Sequence, residues 1–389
     1  MTARPYAAAK STLSIPEKLL EINWGLVLLI TLIACVGFAM LYSVAGGHFD
    51  PWASRQLVRF AFGFVILVAV ALIDIRVWMG LAYPAYAISL VLLVGVEIAG
   101  RVGMGAQRWI ELGPLQLQPS ELMKITLVLA LARYLHALGP GEISRPLKLL
   151  VPLAMIAVPA ALVLIQPNLG TAGLLGLCGV LLLFLAGLSW LWIAPAAIGI
   201  AVAVPMTFEF LLHDYQRRRV LTFLDPESDL LGAGWNITQA KIALGSGGAS
   251  GKGFLEGTQS RLNFLPEKET DFIFTILGEE FGFLGAVALL ILFAVVIAYG
   301  IQIALAARSQ FARLLAMGIT INFFLYIMIN AAMVMGLIPV VGIPMPLVSY
   351  GGTAMMTVMF GFGLLMSAHV HRQVEIPRHA AGFGIDSAT

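Results

Sequence analysis

Residues 24–41 read WGLVLLITLIACVGFAML, a run in which no side chain carries a charge. An α-helix needs about 20 apolar residues to cross the hydrocarbon core of a bilayer. A basic stretch with Arg4, Lys10 and Lys18 precedes the run, as it would in a signal peptide. The run is longer than the apolar part of a signal peptide, about 7 to 15 residues, and no small-residue cleavage pattern follows closely. We therefore expect a retained first transmembrane span.

The composition of the whole chain extends this expectation. Hydrophobic residues make up 60% of the 389 residues, and charged residues only 11%. Such values indicate that most of the chain lies in lipid. The formal net charge of +2 is spread along the chain, so a nucleic-acid partner has no electrostatic support. Cys35 and Cys178 lie in separate apolar runs and predict neither a disulfide nor a metal site.

Ten segments are apolar and long enough to be membrane spans. They are residues 24–42, 57–73, 81–99, 122–138, 149–165, 172–188, 191–208, 272–304, 314–335 and 347–368. The predicted fold is therefore an all-α polytopic membrane protein with about ten transmembrane helices. The run at 272–304 is long enough for a kinked span, with Gly282 and Gly285 as expected bend points. We expect residues 1–23 and 370–389 to be tails that flank a transmembrane domain of residues 24–369.

The distribution of basic residues predicts the orientation of the spans. Ten spans place both termini on one side, and eleven Lys and Arg residues lie at that side, against four in the short loops of the other side. By the positive-inside rule the termini face the cytoplasm, and the large loop at 209–271, between the seventh and eighth spans, faces the outside. Trp235, Ile237 and Phe254 in this loop favour an ordered structure that lies partly in the membrane.

The segment QPSELMK at 118–124 opens the fourth predicted span with two ionisable residues. An ionisable side chain inside a span costs about 2.5 to 3.5 kcal/mol on insertion scales, so it calls for a reason. Glu121 and Lys124 are three residues apart, share one helix face and can neutralise each other. Either they form a structural ion pair, or Lys124 is a cation held near the outer surface for a pyrophosphate headgroup.

Arginine residues occur near the outer ends of the early spans. Arg108 stands beside Trp109, and Arg55 lies at the outer end of the second span. An arginine in such a place is often only an anchor to lipid headgroups. Several outer cations together match an anionic lipid substrate better than a neutral solute, so both interpretations stay open.

The large loop ends in FLPEKETDFIF at 264–274, which places Asp271 where the loop meets a span. Asp is a favoured helix N-cap, so Asp271 would satisfy free backbone N–H groups there. Glu267 and Glu269 stand close by, and like-charge crowding with partial desolvation would raise the pKa of a carboxyl towards that of a general base. The two interpretations are compatible.

The glycine-rich segment GSGGASGKG at 245–253 fails as a nucleotide-binding P-loop. The position five before Gly251 is Ser246, and Gly253 rather than Ser or Thr follows Lys252. The segment predicts a tight turn, either purely structural or one that brings the backbone close to a lipid headgroup.

Two further pairs of polar residues stand out. Glu279 and Glu280 lie inside the eighth predicted span and are expected to hydrogen-bond to neighbouring helices. His369 and His371 are expected to lie in a solvated tail rather than in a metal site.

Taken in order, several blocks of residues closely resemble the RodA branch of the SEDS (shape, elongation, division and sporulation) family. The most specific blocks are 105–109, 118–124 and 166–171, and further blocks are 213–217, 225–229, 245–253, 265–274 and 339–352. The resemblance runs from the first predicted span to the last. Residues 225–229 and 257–260 look like the elongation branch rather than the division branch.

The resemblance implies a peptidoglycan glycosyltransferase of the bacterial inner membrane, with its active site facing the periplasm. The implied substrate is lipid II, and the implied partners are a class B penicillin-binding protein and elongation-complex proteins such as MreC, MreD and RodZ. Asp271 falls on the family's essential loop aspartate. The expected substrate-binding residues are Arg55, Arg108, Trp109, Gln118, Ser120, Glu121, Lys124, Lys252 and Ser349.

Two positions depart from the family pattern. Asn168 stands where many relatives carry Asp, so an essential carboxylate cannot be assumed there. Glu269 replaces a residue that is often His, which adds negative charge beside Asp271 and would raise the pKa of its carboxyl.

The expected reaction is an inverting transfer, in which the 4-hydroxyl of one sugar attacks an α-linked donor and Asp271 is the general base. Pyrophosphate leaves well once its charge is met, so cations replace the second carboxylic acid of a glycosidase. The candidate cations are Arg55, Arg108, Lys124 and Lys252, with Mg or Mn as an optional helper. A lipid II flippase is the main alternative, and a non-catalytic scaffold is the third.

Overall fold

The computed structural model describes residues 13–99, 101–103, 106–112, 115–139, 141–192, 194–195, 217, 221–223, 225, 233–262 and 264–378. The helices in this part of the chain are α1 Ile15–Leu20, α2 Trp24–Val44, α3 Trp52–Leu72, α4 Ile75–Ala99, α5 Pro119–Ala137, α6 Pro146–Ile165, α7 Leu169–Leu185, α8 Ala233–Ser246, α9 Thr258–Arg261, α10 Ile273–Ala306, α11 Gln310–Val334 and α12 Gly352–Val370. A short 3-10 helix at Glu142–Ser144 and three strands, β1 Arg101–Gly103, β2 Ala106–Leu112 and β3 Leu115–Leu117, complete the described elements.

The predicted all-α polytopic membrane fold is confirmed. Helices α2 to α7 and α10 to α12 coincide with nine of the ten predicted spans. Seven of the described helices are long and apolar enough to cross a membrane, and α7 is a shorter apolar helix. Most of the predicted span at 191–208 lies outside the described residues, as do residues 209–216, 218–220, 224, 226–232 and 263 of the loop that follows it. The count of ten spans and the side on which that loop lies therefore stay predictions.

Most helices begin a few positions away from the predicted starts, by up to six positions at α4, and the differences at α3 and α12 have local reasons. Helix α3 begins at Trp52, five positions earlier than predicted. The prediction started at the apolar run, whereas the helix also includes the polar residues that precede this run. Helix α12 begins at Gly352 rather than at Leu347. Leu347 has a φ of +67°, a left-handed conformation that an α-helix cannot contain.

A small antiparallel sheet between α4 and α5 was not predicted. Its strand order is β1-β2-β3, and Ile110 pairs with Leu117 in the second hairpin. The strands provide hydrogen-bond partners for the backbone N–H and C=O groups of this loop, so these groups need no partners from the helices. The hydroxyl of Thr353 donates to the Gln116 carbonyl at 2.7 Å, which docks the sheet on the first turn of α12.

Small residues allow the long helices to approach each other closely. Helix α3 packs along α12, α4 along α5, and α10 along α11. A Cβ added at Gly63 would overlap the Met359 side chain, and one added at Gly363 would overlap Val70. Membrane helices associate through such close packing because lipid supplies no hydrophobic force between them.

Helix α10 is broken at Gly282, as predicted, whereas Gly285 does not bend it. Gly282 has φ 65° and ψ −163°, outside the helical region. The backbone groups around the break find partners in the glycine-rich turn. The carbonyls of Glu279 and Glu280 accept from Lys252 N and Gly253 N, each at 3.0 Å.

After the break, α10 supplies the N–H donors and the glycine-rich turn supplies the carbonyl acceptors. Phe283 N donates to the Gly248 carbonyl at 2.9 Å, and Leu284 N donates to the Ala249 carbonyl at 3.1 Å. A Cβ on Gly251, which has a φ of +83°, would overlap the Glu280 carbonyl. The structure thus favours a structural role for the glycine-rich turn, because the backbone of the turn forms hydrogen bonds with the backbone groups that are left unpaired at the break in α10.

We expect Gly251→Ala to lower the free energy of unfolding by about 2 kcal/mol or more. The substitution combines a left-handed backbone position with a steric overlap. The measurement is the thermal unfolding of the purified protein in detergent. Gly245→Ala is the matched control, because Gly245 lies in α8 with nothing within 4 Å of its added Cβ. Equal unfolding temperatures for the two variants would contradict the proposed packing.

Candidate active site

Asp271 is half-buried and stands just before α10. The N-cap of α10 is Phe272, so the predicted N-cap role of Asp271 is wrong. The chain enters the helix one residue later than that role requires. Asn330 of α11, which is fully buried, holds the Asp271 backbone instead. Its Nδ2 donates to the carbonyls of Asp271 at 3.0 Å and Ile343 at 2.7 Å.

The segment before α12 fixes the residues that lead into Asp271. The Ser349 hydroxyl donates to the Thr270 carbonyl at 2.6 Å, and Tyr350 N donates to the Glu269 carbonyl at 2.8 Å. Gln56, a buried residue of α3, donates through Nε2 to the Ser349 carbonyl at 2.9 Å. Helices α3 and α11 and the 339–351 segment therefore determine together where the carboxylate lies.

Backbone strain accompanies this arrangement. Glu267 has a φ of +55° and Leu347 a φ of +67°, on the two segments that meet at Asp271. Non-glycine residues in this region cost about 1 to 3 kcal/mol each, and such strain clusters at functional sites. Gly342 has a φ of +72°, and a Cβ added to it would lie 3.3 Å from Asp271 Oδ2. Glycine therefore lets the backbone pass close to the carboxylate.

Lys268 precedes Asp271 by three residues in the same segment. Burial lowers the pKa of the Lys268 ammonium, and the charge of Glu269 acts in the opposite direction. The predicted effect of Glu269 on the pKa of Asp271 stays a prediction.

Arg55 and Arg59 lie one turn apart on α3, beside this segment. Arg55 is exposed, whereas Arg59 is half-buried. The Arg59 guanidinium carbon lies 4.5 Å above the centre of the Tyr350 ring. Arg59 Nη1 is buried and has no hydrogen-bond partner within the described part of the chain. Arg59 was not among the predicted substrate-binding residues, although its spacing from Arg55 places both on one helix face.

Glu121 and Lys124 form a closed buried cluster with Tyr326 of α11. The Lys124 ammonium lies 2.6 Å from Glu121 Oε1 and also bonds the Tyr326 hydroxyl. That hydroxyl donates to Glu121 Oε2 at 2.5 Å. Lys124 is 2% exposed, Glu121 4% and Tyr326 1%. The structure thus favours the structural ion pair, and the role of Lys124 in binding pyrophosphate stays a prediction.

The remaining cations predicted for the substrate have protein partners. Arg108 donates through Nε to the Gln166 carbonyl at 3.1 Å and through Nη2 to the Pro167 carbonyl, at the end of α6. Lys252 lies 2.6 Å from Glu279 Oε1 and 2.7 Å from the Thr258 hydroxyl. Both contacts organise the local fold, so substrate binding by these two side chains stays a prediction.

Three other predicted residues lie near these groups. Trp109 is half-buried and pairs with Arg101 across β1 and β2. Gln118 is the N-cap residue of α5 without a side-chain capping bond, and Ser120 is 2% exposed in its first turn. Their binding roles stay predictions.

The two buried acids of α10 accept hydrogen bonds from groups of neighbouring helices, as predicted. Glu279 Oε1 accepts from Thr258 N at 2.9 Å and from Gln259 N at 3.1 Å, and Glu280 accepts from the hydroxyl of Ser43 on α2. Asn168 caps α7 by accepting from Thr171 N at 3.3 Å, which gives that position a structural use.

The prediction of a solvated tail for the two histidines is wrong. His371 is 5% exposed, and its Nδ1 lies 2.9 Å from the Ser367 carbonyl. Helix α12 runs to Val370 within the bundle, so it carries His369 and His371 into packed surroundings. Among the described residues, no group of three or more His, Cys, Asp or Glu side chains could hold a metal ion.

Comparison with known proteins agrees with this architecture. The family model of the FtsW, RodA and SpoVE cell cycle proteins matches residues 18–374. The chain belongs to this family. Among its curated members, the peptidoglycan glycosyltransferase MrdB of Escherichia coli K12 is 46% identical over 348 residues, which cover 89% of this chain and 93% of MrdB. MrdB of Helicobacter pylori strain 26695 is 37% identical, over 82% of this chain and 84% of its own length.

Solved structures of family members have the same fold. One chain from a study of how a peptidoglycan synthase complex coordinates polymerization and crosslinking superimposes with a TM-score of 0.80 at 34% identity, covering 90% of this chain and 98% of that one. The rod shape determining protein RodA of Thermus thermophilus superimposes with a TM-score of 0.68 at 30% identity, covering 90% and 97% of the two chains.

Proposed function

We propose that this chain is a peptidoglycan glycosyltransferase that polymerises lipid II into β-1,4-linked glycan strands during cell elongation. The observation that carries the proposal is the half-buried Asp271 at the start of a membrane helix, in a segment held by Asn330, Ser349 and Tyr350. Relatives that match over most of their length carry the name peptidoglycan glycosyltransferase. Polymerisation rather than transport is therefore the favoured activity.

In the proposed reaction, Asp271 accepts the proton of the acceptor's 4-hydroxyl. The hydroxyl oxygen attacks the anomeric carbon of the donor as the bond to the lipid pyrophosphate breaks, and the electron pair of that bond leaves with the diphosphate. A single in-line displacement converts the α-linked donor into a β-linked product. General-base catalysis needs hydrogen-bond reach, so an anchored backbone at Asp271 suits this step.

The leaving diphosphate needs positive charge close to Asp271, and Arg59 is the cation that the contacts favour. A Cβ on Gly352, the first residue of α12, would lie 3.2 Å from the Arg59 guanidinium carbon. Two positive features meet there, since a helix N-terminus carries partial positive charge. Such termini bind phosphate oxygens. Arg55, one turn away and exposed, extends the same positive face.

We expect Arg59→Gln to lower the rate of polymerisation at least about tenfold, because one preorganised charge-assisted donor to the leaving group is lost. The measurement is kcat with purified lipid II. Arg76→Gln is the control, since Arg76 is an exposed residue of α4 at the other end of α3. If Arg59→Gln lowers the unfolding temperature and leaves kcat unchanged, Arg59 merely packs against Tyr350.

The cellular setting follows from the same proposal. The protein is a multi-pass membrane protein, and we place its termini in the cytoplasm and Asp271 on the periplasmic side of the inner membrane. A class B penicillin-binding protein is the proposed partner, because a structural neighbour belongs to a complex that couples polymerization with crosslinking. Contacts with MreC, MreD and RodZ belong to the same proposal.

The test is a polymerisation assay with fluorescent lipid II, run with and without the penicillin-binding partner and resolved by gel electrophoresis. We expect a ladder of glycan chains. Transfer of lipid II across vesicles without any lengthening of glycan would instead establish the flippase alternative. A chain that neither polymerises nor transports lipid II, yet binds its partner, would be a scaffold.

A further inference from the structure

A polar cavity lies at the end of the bundle remote from Asp271. Its walls are the last turn of α5, the end of α7, the junction of α10 with α11, and residues 375–378. Helix α11 runs from this cavity to Asn330, beside Asp271. At 1.5 Å per residue, Gln310 and Asn330 on this helix lie about 30 Å apart. The cavity has a volume of about 530 Å³, which is within the usual range for small-ligand sites.

The side chains around this cavity carry an excess of positive charge. Arg308, Arg313 and Arg378 line it together with one carboxylate, that of Glu375. Arg308 and Glu375 approach to 3.6 Å with side chains 59% and 76% exposed, so solvent screens their attraction. Arg313 donates through Nη2 to the Ala307 carbonyl at 3.2 Å, which uses one of five guanidinium donors.

His136 is the buried polar group that points to a ligand. It lines the cavity and is 2% exposed. Neither of its ring nitrogens has a hydrogen-bond partner among the described residues, and its interaction with the Pro377 backbone lacks hydrogen-bond geometry. Buried polar groups are usually satisfied because leaving them unpaired is costly. An acceptor oxygen inside the cavity would supply the missing bond.

The start of α11 adds to the positive character of the cavity. Ser309 and Gln310 line it, and Ser309 caps this 25-residue helix by accepting from Ala312 N at 3.1 Å. The positive end of a long helix therefore faces the same space as the arginines. Arginine, histidine and helix amides are the groups that proteins use to bind phosphate oxygens.

We propose that this cavity binds a phosphate-bearing anion, with Arg308, Arg313 and Arg378 meeting its charge and His136 donating a hydrogen bond. The same chemistry recognises a phospholipid headgroup and a free phosphate. The cavity lies at the ends of membrane helices, where headgroups are found, and basic pockets between such helices bind anionic lipids. The proposal does not depend on the glycosyltransferase activity.

The test uses the full chain, purified and delipidated in detergent. Dihexanoyl phosphatidylglycerol, dihexanoyl phosphatidylcholine and inorganic phosphate are titrated separately, and binding is followed by native mass spectrometry. We expect phosphatidylglycerol to bind at least about tenfold more tightly than phosphatidylcholine, because phosphatidylcholine has no net negative charge. If inorganic phosphate displaces phosphatidylglycerol at equal concentration, the ligand is a free phosphate; if it does not, the ligand is a lipid.

Variants then assign the site. Arg308→Gln/Arg313→Gln should weaken phosphatidylglycerol binding at least about tenfold, and His136→Leu should weaken it severalfold. Arg145→Gln is the control, because Arg145 is 69% exposed at the same end of the bundle and does not line the cavity. Unfolding temperatures establish that each variant is folded. Unchanged affinity in the double variant, or an equal loss in Arg145→Gln, would overturn the proposal.

Discussion

Asp271→Asn is expected to abolish glycan polymerisation while leaving the protein folded and bound to its partner. The amide cannot accept the proton of the attacking hydroxyl, and a positioned general base contributes about 10²- to 10⁴-fold to the rate. The barrier should therefore rise by about 3 to 5 kcal/mol. The substitution keeps the size of the side chain, and the Asn330 contact to the Asp271 backbone does not involve the carboxylate. The measurement is single-turnover polymerisation of fluorescent lipid II.

Glu267→Gln is the matched control for this experiment. Glu267 is exposed in the same loop, so the variant removes one negative charge without removing the proposed base. We expect it to polymerise lipid II within a few fold of the parent. If Asp271→Asn makes glycan chains of normal length at the parent rate, another group takes the proton.

The second large effect is expected at the buried cluster of Glu121, Lys124 and Tyr326. Lys124→Met removes the cation and leaves the Glu121 carboxylate buried without its charge partner. Breaking a buried ion pair in this way costs about 3 to 5 kcal/mol. We therefore expect a large fall in the unfolding temperature of the detergent-solubilised protein, whereas Tyr326→Phe should lower the free energy of unfolding by about 1 to 3 kcal/mol.

The double variant Glu121→Gln/Lys124→Met decides between the two uses of the pair. If the pair is structural, removing both charges recovers much of the stability lost in Lys124→Met, and polymerisation returns with it. If Lys124 binds the substrate diphosphate, stability recovers and polymerisation does not. A Lys124→Met protein that unfolds at the parent temperature would contradict the structural role of the pair.

The cavity beneath the 339–351 segment suggests how this cluster affects the active site. Tyr326 and Ser349 line the same space, about 10 Å³ in volume, which holds about one water molecule. Ser349 in turn bonds the Thr270 carbonyl next to Asp271. A structural cluster that anchors α5 to α11 thus lies directly below the segment that holds the carboxylate.

Much of the candidate site was visible in the sequence as a set of residue types. The position of Asp271 at a span boundary, the pairing of Glu121 with Lys124 and the bend at Gly282 all follow from spacing and from the cost of charge in lipid. Asn330, Gln56 and Arg59 were missed. Asn330 and Gln56 are isolated amides in helical runs, and nothing in their neighbourhood along the chain marks them.

The wrong N-cap expectation for Asp271 and the unforeseen contacts of Arg108 have the same physical origin. The N-cap expectation for Asp271 was reasonable from propensity, yet the bonds from Asn330 and Ser349 hold this part of the backbone outside the helix. The role of Arg108 as a substrate cation stays a prediction, but the contacts of its guanidinium with the carbonyls at the end of α6 were not foreseen. Such partners lie far away in the sequence, so local pattern cannot reveal them.

The sequence by itself determined that the chain is a bundle of membrane helices and where most of them lie, because burying uncharged runs in lipid depends on composition and length alone. Only the tertiary structure decided which polar side chains have hydrogen-bond or ion-pair partners within the protein. Lys124 contacts Tyr326, Lys252 contacts Glu279, and Arg108 contacts the Gln166 carbonyl. In contrast, Arg59 Nη1 has no hydrogen-bond partner among the described residues. The physical reason is that hydrogen bonds act over about 3 Å in space, and closeness in space follows from packing rather than from order along the chain.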